Sequence, residues 1–243
     1  MNLFYAPDLS PDSKNYSFDK DESRHIAKSL RKKNGDTLYL TNGLGDWFEA
    51  EITAADPKRT QINILSVTKK DQRSYRIHIA MAPTKSNERF EWFLEKAVEI
   101  GIDEITPLLT CYSERKKINL ARYNKILVSA MKQSLQTYKP KLNELTRLEH
   151  FLEQKFDNTQ QFMAYCQANE ALSNSIKPQQ DILILIGPEG GFSGDEIQIA
   201  RNNGFITVRI SPNRLRTETA GLVSLITTHL QMDSLHSNKK QVD

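Results

Sequence analysis

Cysteine is scarce: the 243 residues hold only Cys111 and Cys166. They lie far apart, form no C-x-x-C and match no zinc-ligand spacing, so they are read as free thiols, each buried as a small hydrophobe. His25, His78, His150, His229 and His236 show no metal spacing, no segment offers H-E-x-x-H, and Gly191-Phe192-Ser193-Gly194-Asp195 lacks the last glycine of a nucleophile elbow. No metal is expected. Long apolar runs are absent as well. The longest strongly apolar one, residues 182–186, is far short of the roughly 20 residues that span a bilayer. The first ten residues carry Asp8 where a secretory leader needs a basic start and an apolar stretch. A cytoplasmic protein with no membrane partner is expected.

Neither sign of charge dominates, since the formal net charge is +3. The basic residues nevertheless fall in knots: Arg31-Lys32-Lys33, Lys69-Lys70 with Arg73, Arg115-Lys116-Lys117, Lys139 with Lys141, and Arg214 with Arg216. One knot is usually a solvated face. Five make a nucleic-acid partner plausible, because each phosphate contact releases counterions. A hydrophobic content of 38% with 26% charged residues excludes a disordered chain.

The length suits two domains. After a helical turn or two from Ser23, which is placed as the cap, residues 36–40, 47–53 and 60–67 read as short strands. They are separated by Asn42-Gly43-Leu44-Gly45 and Asp56-Pro57, which predicts a small antiparallel β-barrel or meander over residues 1–70. Residues 68–73 offer no apolar side chain after Thr68 and suit a boundary. From residue 73 to 243 the periods alternate: strand 75–81, helix 88–100 stopped by Gly101, strand 104–109, helix 120–136 capped by Asn119, a weaker helix 149–156, strands 161–165 and 182–186, helix 195–202, strand 207–210 and helix 217–231. An uninterrupted Ile-Leu-Ile-Leu-Ile at 182–186 calls for a strand covered on both faces, hence a layered α/β/α parallel sheet. The polar tail 234–243 is expected to fray.

Strand 182–186 runs directly into Gly187-Pro188-Glu189-Gly190-Gly191-Phe192-Ser193, and ligands of open α/β sheets sit at such strand ends. The loop is neither a dinucleotide fingerprint nor a phosphate loop. Glu189 stands where a phosphate would lie, so a neutral or cationic ligand, such as an adenosine bearing a sulfonium, fits better than a nucleoside triphosphate. A tight capping corner would use the same residues. A second corner, residues 211–219, also joins a strand to a helix. Thr217 there is a natural N-cap, and Arg214 and Arg216 are placed to hold a phosphate or a developing oxyanion. The helix that follows has Ala220-Gly221, which permits close backbone approach, and a stripe of Leu222, Leu225, Ile226 and Leu230 that serves the sheet or a second copy of the chain.

These two corners taken together, Gly187 to Ser193 with Glu196, then Leu215-Arg216-Thr217-Glu218-Thr219-Ala220, closely resemble the RsmE family of 16S rRNA (uracil-N3)-methyltransferases. Lys85 to Arg89, Glu95 to Ile102, Gln133-Ser134, and His25 to Arg31 with Gly35-Asp36 extend the resemblance over nearly the whole chain. The resemblance implies a PUA-like barrel (1–70) before a SPOUT α/β domain (73–243) with a trefoil knot, S-adenosyl-L-methionine as cofactor, a homodimer, and 16S rRNA or the small ribosomal subunit as partner. Carried over by position, Leu185, Ile186, Gly187, Pro188, Glu189, Gly190, Gly191, Ile210, Ser211, Leu215, Arg216, Thr217, Thr219 and Ala220 would line the cofactor pocket. Arg31, Lys85, Arg89, Arg115, Lys132 and Arg214 would meet RNA. Arg216 is expected to stabilise the uracil anion, and Glu218 to accept the proton or orient the base. Ser211 departs from the family's usual glycine, and Lys132 from its usual glutamate. A ribose 2′-O-methyltransferase of the same superfamily, or a non-catalytic RNA-binding assembly factor, stands as the alternative.

Overall fold

The apolar run at 182–186 forms a strand whose every side chain from Ile182 to Ile186 is at most 2% exposed. Each such Ile or Leu removed from water contributes about 1.5–3 kcal/mol, and a strand buried on both faces needs helices on both sides. The protein, as a computed structural model, describes residues 1–239, with side chains through Ser234. Residues 234–239 of the tail expected to fray instead continue the last helix, which runs past its expected end at 231, while residues 240–243 lie outside the described residues and the His236 side chain outside the described side chains. The chain divides into two compact units, Met1–Gln72 with Met131–Lys139, and Arg73–Ala130 with the chain from Pro140 onward.

In the first unit, strands β1 (Leu3–Tyr5), β2 (Asn15–Ser17), β3 (Thr37–Thr41), β4 (Asp46–Ala54) and β5 (Gln61–Lys69) form one sheet in the order β1-β3-β4-β5-β2. β1 runs parallel to β3, which corrects the purely antiparallel expectation. Both β1 and β2 are three residues long, too short to display an alternating pattern. Helix α1 (Lys20–Arg24) continues into a π turn, His25–Ser29. Its cap is Asp19, whose carboxylate accepts from Glu22 N at 2.9 Å, rather than Ser23. Ser23 is buried inside the helix, where its hydroxyl accepts from Thr60 N at 2.8 Å and donates to Phe18 O. Phe4, Ile26, Leu38, Leu40, Phe48, Ile52 and Ile62 make the core.

The second unit contains β6 (Ile77–Met81), α2 (Asn87–Ile100), β7 (Glu104–Leu109), α3 (Leu120–Gln133), whose end belongs to the first unit, β8 (Lys141–Leu142), β9 (Thr146–Arg147), α4 (Leu148–Leu152), β10 (Thr159–Ala164), α5 (Leu172–Ser175), β11 (Asp181–Ile186), α6 (Gly194–Asn202), β12 (Ile206–Val208) and α7 (Thr217–Lys239). The sheet order is β12-β10-β11-β6-β7-β8, with β9 also on β7, and every pairing is parallel. Leu183 and Leu185 join Phe151, Leu152, Ile197 and Ala200 on the face covered by α4 and α6. By the two-residue period Ile182, Ile184 and Ile186 point the other way, where α7 packs on β6, β11 and α2. Gly101 ends α2 at φ +108°, as its position predicts. The helix expected to reach residue 136 stops at Gln133, and Leu135 takes φ +57°. Among the described residues no helix is long and apolar enough to cross a membrane.

Candidate active site

Because all strands of the second sheet run the same way, the loops that follow β6, β7 and β11, three neighbouring strands, emerge at one edge. At the end of β11, Gly191 N donates to Pro188 O at 2.8 Å and Gly191 takes φ +75°, which closes a tight corner. A Cβ on Gly187 would stand 3.1 Å from Gly191 C and 3.2 Å from Phe192 Cδ2, so the corner has no room for a side chain there. Ser193 then caps α6 in a reciprocal box: Glu196 N donates to Ser193 Oγ, and Glu196 Oε2 accepts from Ser193 N at 2.8 Å. The other oxygen of Glu196 accepts from Cys111 N at 2.7 Å, which ties the loop after β7 to the base of α6. Glu196 is 4% exposed, and its carboxylate has backbone donors on both oxygens.

The stretch between β12 and α7 returns to this corner. Thr217 Oγ1 donates to Gly187 O at 3.2 Å, and Arg214 Nη2 donates to Glu189 O at 3.4 Å. Thr217 is therefore the first residue of α7 and a clasp between the two corners, where the sequence pattern makes it an N-cap. The carboxylate of Glu189 accepts from Lys85 N at 3.1 Å, which brings the loop after β6 to the same place. Arg115 completes the connection by donating from Nε to Thr84 O at 3.1 Å and from Nη2 to Lys85 O at 2.7 Å. Four loops thus converge, held by bonds to main-chain atoms.

The expected cofactor residues are gathered here. Leu185, Ile186 and Pro188 are buried; Gly187, Gly191, Ile210, Ser211, Leu215, Thr219 and Ala220 are half-buried; Glu189 and Gly190 are exposed. Arg216 is exposed with no side-chain partner among the described residues, and Glu218 is 6% exposed with Oε1 3.9 Å from Arg89 Nε. A Cβ on Gly191 would meet nothing within 4 Å, so main chain lies open there, and the second corner adds the half-buried Ile210, Ser211, Leu215, Thr219 and Ala220, a set that suits a small ligand lying against the backbone.

Of the expected RNA contacts, Lys85, Arg89, Arg115 and Arg214 lie around this edge, with Lys85 Nζ 2.9 Å from Glu114. Arg31 lies in the first unit, exposed and at φ +54°. Lys132 is also there, but its ammonium is 2.5 Å from Glu22 and over the Phe4 ring, so it is a packed ion pair rather than an open cation. Cys111 and Cys166 are free thiols but exposed, because each opens the turn that follows a strand, β7 or β10, instead of sitting in a core. Tyr112, beside Gly190 and 52% exposed, escaped the sequence reading. Its only signal is an aromatic among Thr, Cys and Ser just past an apolar strand.

Residues 71–229 match the family model of an RNA methyltransferase domain, and residues 18–65 that of an RNA methyltransferase PUA domain. The ribosomal RNA small subunit methyltransferase E of Buchnera aphidicola is 32% identical over 231 residues, 92% of this chain and 90% of that one. The chain belongs to the small-subunit ribosomal RNA methyltransferase E family. Among solved structures, a family member from Neisseria gonorrhoeae bound to S-adenosyl methionine superposes with a TM-score of 0.85 at 25% identity, covering 96% of this chain and 98% of that one. A probable rRNA-methyltransferase from Porphyromonas gingivalis superposes at 0.89 with 38% identity, over 96% and 99% of the two chains. Methyltransferase E relatives thus span both units, and the converging loops belong to the methyltransferase part.

Proposed function

We propose that this chain transfers a methyl group from S-adenosyl-L-methionine to N3 of a uridine in 16S rRNA, acting on the small ribosomal subunit in the cytoplasm. The observation that carries the reading is the clasp between the corners at 187–191 and 210–220, which brings two separate segments together at the end of β11. The return of the chain from β12 to the β11 corner before α7 supports the trefoil expected of the fold. When bound, the cofactor supplies an electrophilic methyl on a sulfonium. The chain's own task would be to bind it, admit an unpaired uracil, and favour loss of the N3 proton. Gly191, where a Cβ would meet nothing within 4 Å, offers open main chain. Arg216, a guanidinium with no side-chain partner among the described residues, supplies positive charge for the uracil anion. Glu218, buried and facing Arg89, orients the base or takes its proton.

In the first unit, Tyr39 and Trp47 have ring centroids 5.4 Å apart with Lys70 Nζ 5.7 Å over Trp47, a cationic aromatic surface that supports an RNA-gripping role for residues 1–70. On α7, Ile226 at 42% and Leu230 at 61% exposure, one turn apart, support a homodimer. Digestion of methylated small-subunit RNA to nucleosides, with mass spectrometry placing the methyl, tests the reading: N3 of uridine is expected, and a methyl on ribose would overturn it. In single turnover Arg216→Ala should lower the methyl-transfer rate. Full rate with only weaker RNA binding would make Arg216 a phosphate contact.

A further inference from the structure

Tyr112 leaves 52% of its surface in water, yet the turn that carries it is held by hydrogen bonds at Thr110, Cys111 and Ser113. Thr110 N donates to Ser113 Oγ at 2.9 Å, Ser113 N donates to Thr110 O at 3.1 Å, and the two hydroxyls are 3.0 Å apart. Thr110 and Ser113 are each 6% exposed. Cys111 N is held by the buried Glu196. On the open side a Cβ on Gly190 would stand 3.1 Å from Tyr112 Cβ and 3.4 Å from Cγ, so the missing side chain at Gly190 is what lets the tyrosine lie against the corner. Its hydroxyl has no partner among the described residues. Lys85, Arg115, Arg214 and Arg216, set against Glu114 and Glu189, give the surrounding loops an excess of positive charge.

A fixed, solvent-facing aromatic ring does nothing for the core. Its backbone is already immobilised, so little freedom remains to be lost when something stacks on it. We infer that Tyr112 is a stacking platform for an unpaired base of the substrate RNA, next to the base that is methylated. The inference rests on the methyltransferase reading above. N3 lies on the pairing edge of uracil, so the target must leave its helix and its stack before reaction. The neighbouring base then lacks a partner on one face. Gly190 is at the exposed end of the corner while the Gly187–Thr217 clasp is at its more buried end, which puts Tyr112 on the solvent side of the corner.

The test uses the full chain and small ribosomal subunits from cells lacking the enzyme, with initial rates measured against subunit concentration. Tyr112→Ala should raise KM for the subunit roughly 5- to 150-fold, the range set by about 1–3 kcal/mol of base–aromatic stacking. kcat at saturation and the Kd for S-adenosyl-L-methionine by calorimetry should stay unchanged, and Tyr112→Phe and Tyr112→Trp should restore KM. A wild-type KM in Tyr112→Ala overturns the inference. So does an equal loss of cofactor affinity, which would make the ring a prop for Gly190, or an altered mass by light scattering, which would make it a contact between copies. Failure of the wild-type chain to methylate the subunits would instead overturn the parent reading, and this one with it.

Discussion

Gly221→Ala sets two effects of opposite sign against each other. The residue lies one turn into α7, and a Cβ there would come 2.7 Å from Phe93 Cε2 and 3.1 Å from Met81 Sδ, where ordinary carbon contacts are about 3.5–4.0 Å. Phe93 and Met81 are both fully buried, so neither can swing into solvent. Overpacking of this kind costs about 1–3 kcal/mol. Replacing a helical glycine by alanine returns about 1 kcal/mol. The close approach should win by about 1 kcal/mol, which lowers Tm by roughly 2–4 °C in a chain of this size. Because Thr217 is one turn earlier on the same helix, displacement of α7 should also loosen its bond to Gly187 and weaken S-adenosyl-L-methionine binding in calorimetry. Phe93→Leu should relieve the alanine variant, giving a favourable coupling in a double-mutant cycle followed by thermal unfolding. A Tm for Gly221→Ala above wild type, as helix propensity alone demands, would refute the packing argument.

Thr217→Val keeps the shape and removes the donor to Gly187 O. A rise of about 2- to 12-fold in the Kd for S-adenosyl-L-methionine is expected, corresponding to about 0.5–1.5 kcal/mol for one hydrogen bond, with Thr217→Ser near wild type. An unchanged Kd in the valine variant counts against the clasp. Burial pushes the His78 imidazole down to about 4, where its Nε2 is 2.8 Å from Thr106 Oγ1. The unfolded chain takes up that proton first, so this group's stability is present above about pH 6.5 and is lost as pH falls towards 4, by up to about 3 kcal/mol. His78→Gln should flatten urea-measured stability across that window. A slope identical to wild type would show that His78 is not the group responsible.

The features legible in the sequence are those in which local pattern and global burial agree. The all-apolar strand at 182–186 announces both faces of its sheet, and the two strand-to-helix corners singled out in the sequence are the ones that meet in the fold. What escaped was set at long range. Strands β1, β2, β8 and β9 have two or three residues each and exist through their partners, not through any period of their own. Thr217 looks like a cap from its neighbours alone, and only the fold reveals Gly187 O within reach. Lys132 reads as a free cation until Glu22, 110 positions earlier, is placed beside it. The cysteines read as core residues because composition favours it, while the turns that expose them are defined by where β7 and β10 stop.

The stretch Met131–Lys139 belongs with the N-terminal strands although helix and sheet of the other unit flank it in sequence. Thr41 Oγ1 donates to Thr137 O, Gly45 N donates to the same oxygen, and Tyr138 lies so close to Gly45 that a methyl group there would collide with its ring. The polypeptide consequently passes between units at 72/73, 130/131 and 139/140, so a gene fragment ending at the apparent linker would omit a piece of its own fold. A cut at 72/73 therefore does not separate two self-contained modules, because the first unit takes nine of its residues from the chain beyond it.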